Sequence, residues 1–296
     1  MTQTDMAQLK EHIPDGVKLA IKRSAKAFSV TTSGVRMLPD YLIIGAQRCG
    51  TTSLYRYLVQ HPSVAPTVMA KGVHYFDVDY GKGVSWYRGH FPTVMRRAYA
   101  HGVHRTRLIT GEGSPYYLFH PLVPERVNEL LPDVRLIVML RDPVERAFSH
   151  YKHYRQRDLE PLPTFEAALD AEEGRLAGEV DRMHEDPLYR AWDYQHFSYA
   201  ARGMYAEQLE RWAALFPRDR LLVLRSEDFF ADPETAYTSV LDFLGLPRRH
   251  LARYDRFNPT ARSDMRPETR TRLQERFAQP NRRLNDFLGH TFEWDG

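Results

Sequence analysis

The sequence is poor in cysteine and lacks long apolar runs. Cys49 is the only cysteine among 296 residues, which excludes an internal disulfide and a zinc site built from thiolates alone. There is no run of about 18 apolar residues, so we expect no transmembrane helix. Residues 1–16 are polar and lack the apolar core of a secretion signal. We therefore expect a protein of a reducing compartment, located in the cytoplasm.

Charge of one sign is scarce in two long segments. Residues 248–283 hold eleven arginines against four acidic residues, and residues 158–186 hold ten acidic residues against two arginines. Such asymmetry is typical of an anionic-ligand face or a nucleic-acid patch. Two solvated helical faces would give the same pattern, so charge alone leaves these alternatives open.

Apolar strands and helical patterns alternate from residue 40 onward. The predicted strands are YLIIG, RLITGEG, VRLIVML and RLLVLRSEDF, at 41–45, 107–113, 134–140 and 220–229. Asp142 can cap a helix that begins at Pro143, and PETRTRLQERF and PNRRLNDFLG predict two short C-terminal helices. This alternation predicts an α/β, three-layer, P-loop-like fold with a central parallel sheet flanked by helices. We expect residues 1–38 to be an extension, 39–296 one domain, and 158–200 a lid or acceptor-side insertion.

The loop after the first strand lacks the lysine of an ordinary phosphate-binding loop. In GAQRCGTT, Gly45 and Gly50 have the spacing of G-x-x-x-x-G-K-[ST], but Thr51 stands where lysine is expected. The nearest positive charge is Arg48. Backbone N–H groups, a helix N-terminus and two threonine hydroxyls still predict an anion cradle.

A second anion site is predicted after the strand VRLIVML. Arg141 follows this strand directly, and Ser149 lies about two turns into the next helix. The carboxyl ends of parallel strands meet at one edge of the sheet, so both sites should face one ligand. A nucleotide with anionic groups at both ends of its ribose fits such a pair. A P-loop kinase using ATP and Mg²⁺ is the alternative, which the missing lysine disfavours.

These motifs resemble the sulfotransferases that use 3′-phosphoadenosine 5′-phosphosulfate (PAPS), closest in pattern to the heparan sulfate glucosaminyl sulfotransferases and their bacterial relatives. The resemblance covers residues 40–295 and rests on IIGAQRCGTTSL, VHYFD, GEGSPYYLFHPLVPERV, RLIVMLRDPVERAFSHY and FAQPNRRLNDFLGHTFEW. It implies transfer of a sulfuryl group from PAPS, without a metal, to a hydroxyl, less favourably an amine, of a carbohydrate or small molecule. The product would be 3′,5′-adenosine bisphosphate (PAP).

The resemblance also assigns cofactor residues. Arg48 occupies the place of the family's loop lysine and would stabilise the leaving phosphate, and the loop as a whole would hold the 5′-phosphosulfate. Arg141 and Ser149 match the positions that hold the 3′-phosphate, and Arg262 belongs to a basic loop over the cofactor. The implied cofactor-binding residues are Gln47, Arg48, Cys49, Gly50, Thr51, Thr52, Arg141, Ser149 and Arg262.

The sequence departs from the family at its general base. Gly72 stands where the heparan sulfate enzymes carry a glutamate, and we expect His74 to replace it, because a neutral imidazole suits a general base. Glu112 is the second candidate base. Asp77 would orient His74 or bind acceptor, and Lys71 would contact the donor sulfate or an acidic acceptor.

A second departure concerns the acceptor. Gly113 replaces a lysine common in the heparan sulfate branch, which favours a different acceptor. Because Gly72 removes the expected base, a non-catalytic protein that binds the bisphosphate nucleotide stays open as an alternative. A nucleic-acid partner ranks last, because the nucleotide motifs already employ basic residues. The alanine- and arginine-rich composition favours a bacterial enzyme.

Overall fold

In the computed structural model, which describes residues 28–255, 257 and 265–294, five parallel strands form one sheet. They are β1 (Tyr41–Gly45), β2 (Val64–Ala65), β3 (Ile109–Gly113), β4 (Arg135–Leu140) and β5 (Leu221–Arg225). Their order is β2-β3-β1-β4-β5. Every residue of β1 and β3 is buried, including Thr110 and Glu112 of β3, as expected for inner strands of a parallel sheet covered on both faces. The predicted three-layer α/β fold is confirmed.

Helices connect the strands and cover the sheet. They are α1 (Thr51–Leu58), α2 (Gly83–Arg88), α3 (Val94–His104), α4 (Val123–Leu130), α5 (Pro143–Arg155), α6 (Phe165–Leu176), α7 (Glu179–Glu185), α8 (Trp192–Phe197), α9 (Tyr205–Ala213), α10 (Ser226–Ala231), α11 (Pro233–Leu244) and α12 (Pro267–Leu288). The start of α5 is fixed as predicted: the Asp142 carboxylate accepts hydrogen bonds from the backbone N–H groups of Val144 and Glu145.

Strand order explains why the two arginine-bearing loops meet. β1 and β4 are direct neighbours, with Ile43 opposite Ile137. The chain leaves both strands at the same edge, so the loop after Gly45 and the turn at Arg141 lie side by side. This adjacency places the two predicted anion sites in one cleft.

Two boundaries differ from the sequence prediction. The strand predicted over 220–229 ends at Arg225, because Ser226 begins α10, whose first turn contains Glu227 and Asp228; acidic residues stabilise a helix there. The two predicted C-terminal helices form one helix, α12, that continues through Pro280. Proline removes one hydrogen bond, but buried side chains continue on one face on both sides of it, at Leu273, Phe277, Asn281, Leu284 and Leu288.

The 158–200 segment is packed against the body of the domain. Phe165 and Leu169 of α6 share a buried apolar cluster with Phe148 and Tyr151 of α5. Before α6, the Glu160 carboxylate accepts a charged hydrogen bond of 2.7 Å from Arg175. The segment is therefore anchored to α5, and its acceptor-side role stays a prediction.

Candidate active site

A cleft of about 490 Å³ opens where the sheet's carboxyl edge meets α1 and α5. The loop residues of the first predicted anion site and Arg141 of the second line it, whereas Ser149 is buried next to Arg48. Its lining residues are Gln47, Arg48, Gly50, Thr51, Thr52, Pro115, Arg141, Glu145, His153, Arg157, Ser226, Glu227, Phe230 and Phe257. Three arginines and three hydroxyl side chains are among them, against two glutamates, which suits an anionic ligand.

The loop at 46–50 depends on glycine at its last position. Gly50 has φ of +92°, a conformation that costs other residues free energy. A β-carbon there would lie 2.9 Å from the Phe230 ring. Gly50 therefore allows the chain to turn sharply into α1, which presents the hydroxyls of Thr51 and Thr52 to the cleft.

Cys49 is a packed structural residue of this loop. Its side chain is buried, and burial raises the pKa of its thiol to about 12. Its N–H donates to the carbonyl of Ala46 at 3.3 Å, and its carbonyl accepts from the Ser226 hydroxyl at 3.0 Å. Cys49 thus fixes the loop's shape, and direct contact with a nucleotide is not supported by its partners.

Arg48 is directed towards the α5 side of the cleft. Its backbone is in the left-handed region, with φ of +71°. Its Nε donates to Ser149 Oγ at 3.1 Å, and its terminal NH1 lies 3.4 Å from His153 Nδ1. Burial and the charges of Arg48 and Arg157 lower the pKa of His153 to about 4, so His153 is neutral. The guanidinium therefore lies beside Ser149, the predicted 3′-phosphate residue, rather than beside Thr51 and Thr52.

Arg141 lies on the same side. Its guanidinium is 3.6 Å from the Glu145 carboxylate, and Glu145 also pairs with Arg270 of α12 at 2.6 Å. The backbone carbonyl of Arg141 accepts a hydrogen bond from the buried Tyr205 hydroxyl at 2.8 Å. Burial and the charge of Arg141 lower the pKa of Arg48, so the two guanidinium groups are close on this side of the cleft, with Glu145 as a competing anion.

Gln47 is held by two neighbours on the protein side. Its carbonyl oxygen accepts from Arg202 at 2.6 Å, and its amide donates to the Tyr154 hydroxyl at 3.2 Å. The buried Arg202 also lies over the ring of Tyr116. These contacts fix the side chain of Gln47 at the cleft wall.

Lys71 reaches the other end of the loop. Its Nζ lies 3.1 Å from the Oγ1 atoms of both Thr51 and Thr52. Burial of the ammonium group lowers the pKa of Lys71 to about 7, against the opposing charge of Glu112. The sequence of the loop contains no lysine, but Lys71, from the segment after β2, lies next to the loop in the folded protein.

His74 forms a dyad with Asp77. Its Nδ1 is 2.8 Å from the buried Asp77 carboxylate. Burial lowers the pKa of His74, but the charge of Asp77 and this hydrogen bond outweigh burial and leave it raised. A β-carbon on Gly72 would lie 3.4 Å from His74 Nε2 and 2.8 Å from the carbonyl of Gly113. The imidazole thus borders the space that a side chain at 72 would need.

Glu112 is buried and fully engaged. Its carboxylate accepts hydrogen bonds from the N–H of Val73 and from the hydroxyls of Ser114, Tyr117 and Tyr87. Burial raises its pKa despite these donors. The arrangement ties the His74 segment to the end of β3, so the geometry favours Glu112 as a positioning residue over the predicted role as a second base.

Some predicted features cannot be placed. Arg262 lies outside the described residues. Within 28–255, 257 and 265–294, no group of His, Cys, Asp and Glu side chains is arranged to hold a metal ion. In the same ranges no helix is long and apolar enough to cross a membrane.

The sequence prediction missed several cleft residues. They are Glu145, His153, Arg157, Glu227, Phe230 and Phe257. Two signals were available: His153 lies four residues after Ser149 and so shares its helix face, and Glu227 lies two residues after the end of β5, the neighbour of β4. Phe257 offered no such signal, because it comes from an irregular segment distant in sequence.

Comparison with known proteins agrees with this geometry. A family model described as the sulfotransferase domain matches residues 38–291. The chain belongs to the sulfotransferase family. Human heparan sulfate glucosamine 3-O-sulfotransferase 3A1 is 31% identical over 287 residues, which cover 89% of this chain and 64% of that protein. The mouse 3-O-sulfotransferase 6 is 31% identical over 286 residues, covering 88% of this chain and 75% of that protein.

A solved structure extends the likeness to the fold. A sulfotransferase from Alicyclobacillus acidocaldarius superimposes with a TM-score of 0.65 at 31% identity, covering 88% of this chain and all of that chain. The resemblance identified from the sequence motifs is therefore confirmed at family level. The chain spans about two thirds of the length of the first curated relatives that it matches.

Proposed function

We propose that this protein transfers a sulfuryl group from PAPS to a hydroxyl, less favourably an amine, of a carbohydrate or small-molecule acceptor. The observation that carries the proposal is the two-ended cleft. The loop and its threonines would form one anion cradle, and Arg141, with Arg48 and its partner Ser149, would form a second. A 3′,5′-bisphosphate nucleotide presents anions at both ends, whereas ATP presents them at one.

The cofactor assignment follows the ends of this cleft. Thr51 and Thr52, at the N-terminus of α1, would hold the 5′-phosphosulfate, and Arg141 with Ser149 would hold the 3′-phosphate. Arg48 bridges the two, since it starts in the loop and donates to Ser149. Transfer of SO₃ involves less charge than phosphoryl transfer, so fixed cations can serve where kinases use Mg²⁺.

His74 is the proposed general base. Its Nε2 takes the proton of the acceptor as the acceptor oxygen bonds to sulfur and the sulfur–oxygen bond to the phosphate breaks. The electron pair of that bond stays on the phosphate, and PAP leaves. Asp77 holds the imidazole by Nδ1 and stabilises the imidazolium that forms. Family relatives that act on heparan sulfate support a carbohydrate acceptor; a cytoplasmic, bacterial setting stays a prediction from composition.

Product formation from the two donors tests this proposal. The purified protein is incubated with PAPS or with ATP and Mg²⁺, each with a panel of sugars, oligosaccharides and phenols, and the nucleotide products are measured. We expect PAP from PAPS with at least one acceptor class. ADP from ATP and Mg²⁺ would show a kinase, and tight PAP binding without transfer to any acceptor would favour a non-catalytic binder.

A further inference from the structure

Lys71 occupies the position at which the phosphate loop lacks its own cation. Its Nζ touches both loop threonines. Arg48, the cation within the loop, instead donates towards Ser149 and His153. The end of the loop at Thr51 and Thr52 therefore receives its positive charge from a different segment, 20 residues further along the chain.

The path of Lys71 depends on a missing side chain at 113. A β-carbon on Gly113 would lie 2.9 Å from Lys71 Cε and 3.7 Å from its Nζ. The lysine side chain thus fills the space directly above the end of β3. A residue other than glycine at 113 would force the end of the Lys71 side chain to shift.

The backbone of Lys71 is held in register with β3. Its carbonyl accepts from the N–H of Gly113 at 3.0 Å. Two residues later, the N–H of Val73 donates to the buried Glu112 carboxylate at 2.8 Å. These hydrogen bonds fix the backbone from which the Lys71 side chain starts. The position of Nζ is therefore set by the fold, unlike that of a surface lysine with a free side chain.

We propose that Lys71 is a catalytic residue that binds the 5′-phosphosulfate and stabilises the phosphate oxygen released when sulfur transfers; this rests on the proposed function. Lys71 donates hydrogen bonds to that oxygen and keeps its proton. The proton of the acceptor goes to His74. Lys71 therefore acts on the donor, PAPS. Its position does not require an acidic acceptor as a partner.

The protonation of Lys71 adds a second observable. With its pKa lowered to about 7 by burial, Lys71 is largely uncharged in the free protein at pH 8. An anion bound beside Nζ favours the charged form. Donor binding at pH 8 should therefore take up close to one proton, and Lys71→Met should abolish this uptake.

Binding of the two adenosine monophosphates separates the ends of the site. The affinities of 5′-AMP and 3′-AMP are measured by competition against PAP, on wild type, Lys71→Met and Arg141→Ala. Lys71→Met should weaken 5′-AMP about 10- to 100-fold, the range for a hydrogen bond to a charged group, and leave 3′-AMP unchanged. Arg141→Ala should do the reverse. Equal loss of both ligands in Lys71→Met would overturn the proposal.

Relocating the lysine provides a matched control. Because position 113 adjoins the Lys71 side chain, Gly113→Lys in the Lys71→Met background should restore 5′-AMP binding and proton uptake. Gly113→Met in the same background has similar bulk without charge and should restore neither. Restoration by both, or unchanged 5′-AMP affinity in Lys71→Met, would reject the role of Lys71. Wild type that binds neither PAP nor PAPS would instead reject the proposed function.

Discussion

The two ends of the proposed nucleotide site present positive charge in different ways. At the α5 end, Arg48 contacts Ser149 and His153, and the partly exposed Arg141 and the exposed Arg157 line the same cleft. At the β3 end, one buried ammonium, Lys71, faces two hydroxyls. Arg141 and Arg157 remain near water and can contribute affinity without a large desolvation cost, whereas burial lowers the pKa of Arg48.

A single buried ammonium serves a different purpose. Burial disfavours its charged form in the free protein and lowers its pKa to about 7. Its charge acts at short range in a low-dielectric site. His74 lies at this same end, next to Gly72. The comparison implies that the α5 end binds the nucleotide and the β3 end performs the chemistry.

The largest effect is expected at the β3 end, from His74→Ala. Loss of a general base should lower turnover about 100- to 10,000-fold. PAP affinity should stay unchanged, because the imidazole contacts Asp77 and not the α5 end. Steady-state kinetics with PAPS, together with PAP titration, measure both quantities. Near-normal turnover would remove His74 from the mechanism.

Arg141→Ala tests the α5 end. The variant should lose about 1.5–3 kcal/mol of PAP binding, the value of a hydrogen bond to a charged group. At saturating PAPS, turnover should change little, because Arg141 contacts the part of the nucleotide that does not react. A large fall in turnover with normal PAP affinity would contradict the division between the ends.

Gly50→Ala tests the loop that joins the ends. A β-carbon in this positive-φ position, against Phe230, should cost about 1–3 kcal/mol of unfolding free energy. Affinity for both 5′-AMP and 3′-AMP should fall, since the loop positions both ends. Gly34→Ala is the control, because no atom lies within 4 Å of a β-carbon at 34. Denaturant titration measures the unfolding free energy of both variants, and nucleotide titration measures their affinities. Equal values for Gly50→Ala and Gly34→Ala would contradict the role of Gly50.

The smallest effect concerns pH. Asp77 raises the pKa of His74, and a general base works only when neutral, so activity should rise with pH through that raised pKa. Asp77→Asn removes the carboxylate charge that raises the pKa of His74 and should therefore move this acid limb to lower pH. An acid limb that stays in place would show that another group titrates. PAP affinity serves as the control and should not change.

Local patterns predicted the framework of the cleft. The apolar runs of β1 and β4, the cap at Asp142 and the spacing of Gly45 and Gly50 correctly placed the loop before α1 and the turn at Arg141 at one sheet edge. These features are short-range consequences of burial and backbone geometry. The exception in the framework was α12, where the buried stripe outweighs the cost of Pro280.

Side-chain directions could not be predicted in the same way. Loop position assigned Arg48 to the 5′ end, but its left-handed backbone directs the guanidinium to Ser149. Lys71 and Gly113 lie close together but come from segments that are distant in sequence. No local sequence pattern could therefore predict this contact. Glu112 looked like a base by position, and only its four donors show how it is engaged.

Calorimetric titration of PAP, ADP and ATP with Mg²⁺ on wild type and Arg141→Ala tests the two-ended site most directly. We predict that wild type prefers PAP over both other nucleotides and that Arg141→Ala loses most of this preference. Stronger binding of ATP with Mg²⁺, unaffected by Arg141→Ala, would contradict the two-ended site and the donor it implies.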